Sequence, residues 1–458
     1  MKKLALGALV LAATACAPSR QGPATAPRGM SGAPVSETSV RSHMEFFASD
    51  ALNGRASGSR DEWITATYIG SHLRRLGIEP LGDDGGYVQK VTIERSELNA
   101  PPTVSIGPAS FTHGKGIYIG QISGAKISGP LQHYREGTPV TKGAALLVPK
   151  DATVPAAATA DASIVITLES EQARTRRTAA GAAVRPITIQ HIAGTPARVS
   201  FAADADTYPA VDKLTDGTEV VVNADAKPAT NTITWNAIGQ LKGTSSAGEV
   251  ILLTAHLDHL GNGRGPVAAG ADNIYNGADD DASGSVAVLE LAETIARGAR
   301  PRRTVMFAWF GSEESGGFGA RHFIDAPPVP LTQIIANLEF EMIGRPDPKV
   351  PPHTLWLTGY ERSNLGPELA KRGAKIVQDP HPEQSFFTRS DNIQLARRGV
   401  IAQTVSSYGL HKEYHTPADE IRFVDFAHMT DSIRSMVEPV RWLVNSSFKP
   451  EWLPGKKP

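Results

Sequence analysis

Five short polar clusters stand out in this chain by residue type and spacing. Ala255-His256-Leu257-Asp258 closes an apolar run, and in extended backbone His256 and Asp258 point to the same side, so the carboxylate can hold the imidazole tautomer that a metal needs. Alone, such a pair is more often a satisfied histidine in a core or at a surface than a metal ligand. Asn276 to Gly284 carries Asp279, Asp280 and Asp281 in succession. Adjacent carboxylates repel by on the order of a kcal/mol per close pair unless a cation or hydrogen bonds compensate. The run suits a metal site or an exposed acidic cap on the helix that follows. Trp309 to Gly317 sets Glu313 beside Glu314, where one carboxylate can bind a metal while the other moves a proton, or where both simply favour a helix N-terminus. Glu339 and Glu341 alternate within the apolar stretch Asn337 to Arg345, and burying Glu341 without a partner would be expensive, so a cation or Arg345 is implied. Tyr414-His415-Thr416-Pro417-Ala418-Asp419 holds a histidine before a rigid turn. Independent decoration is an improbable source of cation-capable groups at so many strand ends.

The elements that must position these groups follow from periodicity. From about Ile233 onward, Val250 to Thr254, Thr304 to Phe310, Ile334 to Phe340, Thr354 to Leu357 and Val400 to Val405 are apolar, β-branched runs separated by helical patterns. Val286, Leu289, Ala292 and Ile295 mark the helix after the first strand, and a last helix covers roughly Val424 to Val444. Nearer the N-terminus, Trp63, Ile64, Tyr68, Leu73 and Leu76 predict one amphipathic helix, with Asp61 and Glu62 in its first turn and Gly77 and Pro80 stopping it. Between Ala100 and about Thr230 the composition shifts to Ala, Gly, Thr and Pro with short β-branched runs at Ala145 to Val148, Ser163 to Thr167 and Glu219 to Val222. The expected class is α/β: a mixed, mostly parallel central sheet sandwiched by helices, with an inserted β-rich domain. The polar clusters fall at the strand ends, where an open α/β sheet places its ligand crevice.

Composition narrows the chemistry. Over 458 residues, 46 Lys plus Arg balance 47 Asp plus Glu, so no global basic field draws the chain to nucleic acid. Its one cysteine, Cys16, leaves no disulfide framework, cysteine zinc knuckle or cysteine nucleophile in the folded body, so any metal must be held by His, Asp and Glu. Lys2 and Lys3 precede an apolar run from Leu4 to Ala15 that is too short to span a bilayer, and Ala13-Thr14-Ala15 fits a cleavage site. This predicts an export signal. Cys16 directly after it resembles a bacterial lipoprotein box, with ordinary cleavage after Ala15 as the alternative, and the Pro-, Gly- and Ser-rich stretch from Ala17 to Val35 reads as tether.

In order along the chain, HLDHLG, NGADDDASG, GSEESGGFGAR, EFEMIGRP and YHTPAD resemble the secreted and periplasmic zinc aminopeptidase family, whose relatives include glutamate carboxypeptidase II, the transferrin receptor ectodomain and glutaminyl cyclase. The resemblance covers about Ser39 to Ile93 and Ile238 to Leu443. It implies two zinc ions per chain: His256 and Glu314 as ligands of one, Glu341 and His415 as ligands of the other, and Asp280 as the bridge. It makes Glu313 the general base and Asp258 the partner of His256, with Asp279 and Asp281 in supporting roles. The implied activity is exported metallo-exopeptidase cleavage of N-terminal residues from peptides, with the membrane approached only through a lipid on Cys16. Carboxypeptidase or dipeptidase activity is the alternative within the family, and a receptor-like binding module the alternative outside it; here every candidate position retains a metal-capable group.

Two positions depart from the family pattern: Glu341 stands where many relatives carry Asp, and Asn392 follows Ser390-Asp391 where they carry His. Glu339 is a further candidate ligand. The expected division is 1–15 export signal, 16–36 tether, 37–100 and 231–450 zinc peptidase domain, 101–230 an insert resembling the protease-associated domain, and 451–458 tail.

Overall fold

The computed structural model describes residues 35–150, 152, 154, 159–179, 187–263 and 270–458. The export-signal and Cys16 readings lie outside the described residues. Helix α1 (Glu37–Phe47) starts where the Ser36 side chain accepts from Ser39 N, and it buries Val40, Met44 and Phe47 along one stripe. Helix α2 (Arg60–Arg75) is capped by Ser59, which accepts from Glu62 N at 3.1 Å, and ends before Gly77. Its buried face is Glu62, Thr65, Ala66, Ile69, Gly70 and Leu73, while Trp63, read as part of the apolar stripe, stays 48% exposed. The helix docks through its small residues and leaves the bulky indole outside.

One ten-stranded sheet organises the larger body. In chain order its strands are β1 (Glu79–Pro80), β2 (Val88–Glu97), β3 (Thr188–Ile192), β4 (Thr230–Leu241), β5 (Ser246–His256), β6 (Arg303–Phe310), β7 (Ile334–Phe340), β8 (Leu355–Leu357), β9 (Ile376–Gln378) and β10 (Ala402–Ser406). Across the sheet they run β9-β8-β10-β7-β5-β6-β4-β2-β3, with β1 against β4. The central strands β10, β7, β5 and β6 are parallel, whereas β4, β2 and β3 on one side and β8 on the other join antiparallel. Every residue of β6 is buried, as expected for a parallel strand covered on both faces.

Helices supply that cover. On one face α1, α2, α3 (Gly284–Ala296) and the last helix α7 (Phe426–Asn445) share a core with Leu253, Phe307 and Leu338. On the other, α4 (Phe318–Asp325) and α6 (Asn392–Arg397) pack Phe323 and Ile393 against Leu252, Met306 and Ala402; the short helix α5 (Leu365–Lys371) joins the first face. Eight further strands between Thr103 and Asn223 close into a barrel with its own core, including Val104, Ile117, Phe201 and Val220. Within residues 101–230 the exception is β3, which pairs with β2 in the main sheet. Among the described residues no helix is long and apolar enough to cross a membrane.

Where α3 meets α1, Glu290 is 4% exposed and lies 4.0 Å from His43 Nε2, and burial pushes its carboxyl up to about 7, aided by Glu293 and opposed by a hydrogen bond from Ser39. A carboxyl raised in the folded state contributes stability that is intact below its ordinary range and lost as pH rises through the folded value. Glu290→Gln is therefore expected to raise Tm at about pH 8, by a gain on the order of 2 kcal/mol, and to change it little at about pH 5. His43, pushed down to about 4 by burial, His72 and Arg75, is neutral at both pH values and adds no charge to the comparison. Thermal melts of the two proteins at both pH values check this; equal melts at the higher pH would refute it.

Candidate metal centre

The carboxyl ends of the parallel strands converge on one crevice. β5 ends at His256, β6 feeds the Gly311–Gly317 turn, β7 delivers Glu341 just past its end, and β10 leads into the segment bearing His411 and His415. Ser312, Met342 and His415 take left-handed φ values of 64°, 52° and 55°, a conformation non-glycine residues adopt only where the surroundings hold them.

The Asp279-Asp280-Asp281 run escapes self-repulsion because its carboxylates face different ways. Asp279 accepts from Gly344 N at 2.7 Å and meets His411 Nε2 at 2.9 Å. Asp281 accepts from Gly284 N at 2.9 Å and Met342 N at 3.1 Å. Gly284 must lack a side chain here, since a Cβ would lie 2.0 Å from Phe340 O. Asp280 is left facing the crevice, with Oδ1 3.1 Å from His256 Nε2 and Oδ2 3.1 Å from His415 Nε2. Asp419, absent from the sequence-derived site, accepts from the backbone N of both Asp279 and Asp280 at 3.0 Å and so holds this turn.

Two donor groups share Asp280. His256, Asp280 and Glu341 bring ligand atoms within 4.8 Å of one another, and so do His259, Asp280 and Glu314. His415 Nε2 also lies 3.1 Å from Glu314 Oε1. This reverses the expected pairing: His256 stands with Glu341, and His415 with Glu314. Linear order along the chain does not reveal which strand ends are opposed across the crevice. His259, the second histidine of HLDHLG, carries no role in the sequence-derived site, yet it stands in the second donor group. It is completely buried, its Nδ1 is 2.8 Å from Glu314 Oε1, and neither ring nitrogen makes a hydrogen bond of sound geometry.

Asp258 plays a different part from the one expected. His256 Nδ1 lies 3.1 Å from the backbone carbonyl of Asp258 and 3.8 Å from its carboxylate, so the carbonyl sets the tautomer that leaves Nε2 facing the crevice. The Asp258 carboxylate instead accepts from Glu313 N at 2.9 Å and Ser57 Oγ at 3.0 Å. β5 has ended at His256, so strand alternation no longer governs where Asp258 points. Glu339, the further candidate ligand, belongs to neither donor group: it accepts from Asn392 N at 2.6 Å, at the start of α6.

The crevice crowds buried carboxyl groups together. Burial pushes Asp258 up to about 6, Asp391 up to about 7, and Glu313 well above the usual carboxylate range, with neighbouring carboxylates adding to each. Asp280 moves the opposite way: burial opposes ionisation, but hydrogen bonds from His256 and His415 and the nearby imidazoles hold it well below its ordinary value. Glu314 Oε1 and both ring nitrogens of His259 are buried without sound hydrogen bonds. Orphaned donor atoms among crowded carboxylates fit divalent cations of the kind taken by mixed His and carboxylate sites.

Beside the donors, Glu313 lines a pocket with Met342, Trp356, Phe386, Tyr408 and Tyr414, and Arg389 stands at its exposed rim. The ring centroids of Trp356 and Phe386 stack at 5.3 Å.

A parallel-centred sheet with paired His and carboxylate donors at its carboxyl ends makes this crevice a candidate metal site of an α/β fold. Residues 236–438 match the family model for Peptidase family M28, the part of the chain that carries the five motifs. An aminopeptidase of Pseudomonas aeruginosa is 34% identical over 117 residues, 25% of this chain and 19% of that protein. A probable lipoprotein aminopeptidase of Mycobacterium tuberculosis is 32% identical over 114 residues, 25% of this chain and 20% of that protein. The chain thus spans about a fifth of the length of these curated relatives. The solved structure of a zinc aminopeptidase from Bacillus subtilis is 18% identical, with 90% of this chain and 96% of that one covered at a TM-score of 0.48.

Proposed function

We propose that this chain is an exported zinc-dependent aminopeptidase that hydrolyses N-terminal residues from peptides. The observation that carries the reading is Asp280, which both donor groups share and whose two carboxylate oxygens lie 3.1 Å from His256 and from His415. His256, Asp280 and Glu341 would hold one zinc, and Asp280, Glu314 and His415 the other, with His259 set against Glu314 at 2.8 Å. When bound, such ions lower the pKa of a water and polarise the scissile carbonyl. Glu313 is the general base: it takes the proton from the attacking water and delivers it to the nitrogen of the leaving amine. Asp258 holds the Glu313 backbone N–H and so sets where that carboxylate hangs. The apolar pocket wall receives a substrate side chain.

The export and Cys16-anchor reading draws support from the lipoprotein named among the relatives. In this reading residues 37–100 and 231–450 form the peptidase domain and 101–230 a protease-associated-like insert. A carboxypeptidase or dipeptidase reading draws on Arg389, which lines the pocket, lies over the Phe386 ring and forms no ion pair among the described residues. Zinc content measured alongside hydrolysis of amino-acid anilides and N-acetylated peptides separates the readings. The expected result is bound zinc, cleavage of free-amine substrates and resistance of the blocked ones. Cleavage of blocked peptides alone would overturn the aminopeptidase, and a zinc-free, inactive chain would overturn the metalloenzyme.

A further inference from the structure

Arg55 is among the largest fully buried side chains, 1% exposed, and it forms no ion pair among the described residues. Its guanidinium instead donates to backbone carbonyls of three separate segments. Nε reaches Leu257 O at 3.1 Å, Nη1 reaches Asn276 O at 2.6 Å and also Phe47 O, and Nη2 reaches Gly277 O at 3.1 Å. Burying a guanidinium is costly unless its donors are satisfied, and here the planar fork is used almost completely. Leu257 lies between His256 and Asp258, and Gly277 lies three residues before Asp280. A single rigid cation therefore ties the loop that carries one candidate ligand to the turn that carries the bridge.

The neighbours of Arg55 tighten the same junction. His259 N donates back to Arg55 O at 3.1 Å, and Ala56 and His259 form an isolated parallel bridge. Ser57 Oγ donates to the Asp258 carboxylate at 3.0 Å, the same carboxylate that receives Glu313 N. Gly54 is wedged between the two loops: at its φ of +71°, a Cβ would lie 2.4 Å from Tyr275 O and 2.5 Å from Gly261 O. Asn53 and Arg55 also take left-handed φ values, 44° and 48°, so the clamp is held against ordinary backbone preference.

We propose that Arg55, assisted by Ser57, is a positioning residue that sets the separation of His256 and Asp280 and thereby the affinity and geometry of the metal centre. The inference rests on the metal reading above. Lysine keeps the charge but presents a point ammonium that cannot span three segments, so Arg55→Lys isolates the fork from the cation. Zinc affinity, by competition with a chromophoric chelator, is to be measured on wild type, Arg55→Lys and Ser57→Ala, together with metal-free circular dichroism and with kcat and KM. We expect Arg55→Lys to lower zinc affinity and kcat about tenfold or more with KM within about twofold, and Ser57→Ala to lower both several-fold. A folded Arg55→Lys with wild-type zinc affinity and kcat overturns the proposal. Should that variant fail to fold, Ser57→Ala decides it, wild-type affinity and turnover again being the overturning result. Wild-type protein that takes up no zinc instead overturns the metal reading and this inference with it.

Discussion

Glu313→Gln is expected to leave the chain folded and loaded with zinc while kcat falls by about two to four orders of magnitude, the range that a positioned proton carrier contributes. The substitution keeps the shape of the side chain and its backbone hydrogen bond to Asp258, and Glu313 belongs to neither donor group. Both glutamates line the pocket, but Glu314 alone meets His259 and His415 and belongs to a donor group, which leaves Glu313 for general-base work. Burial among Glu314, Asp391 and Glu341 raises the affinity of Glu313 for a proton, which suits a group that must pick one up and hand it on. Zinc content and steady-state kinetics on the same preparation check the prediction. Wild-type turnover in this variant would falsify the base assignment, and loss of zinc would make Glu313 a ligand instead.

Asp280→Asn should act on the metal itself. Both donor groups share Asp280, and an asparagine offers one weak oxygen donor in place of two charged ones, so zinc content is expected to collapse and activity to fall by about three orders of magnitude or more. Asp281→Asn is the matched control. Its oxygens accept backbone N–H groups from Gly284 and Met342, so it should lower stability by about 1–3 kcal/mol yet retain zinc. Metal analysis and thermal melts of the two variants distinguish the roles. Equal zinc loss in both would mean that the whole acidic run, rather than its middle residue, binds the ions.

Local sequence pattern and tertiary placement part company where strands stop. Expectations that depended on periodicity within an element hold closely: Thr304 to Phe310 and Ile334 to Phe340 are strands, and the last helix covers Phe426–Asn445. Alternation misleads just beyond the strand ends. β7 closes at Phe340, so Glu341 has left the pleat; it joins His256 and Asp280 while Glu339 turns to the start of α6. Asp258 lies past the end of β5 in the same way, and its carboxylate serves Glu313 and Ser57 rather than the His256 ring.

What the amino-acid order determined by itself is therefore local: the element types, the restriction of cysteine to position 16, and a set of His, Asp and Glu groups at strand ends whose chemistry points to cations. These follow from side-chain period and residue type, which act over a few neighbours. Only the tertiary structure decided which groups meet. The pairing of His256 with Glu341 and of His415 with Glu314, the approach of His259 to Glu314, and the reach of Arg55 across to Leu257 and Gly277 all join residues far apart in the chain. Such contacts depend on strand order and on how loops close over one another, and no local period encodes either.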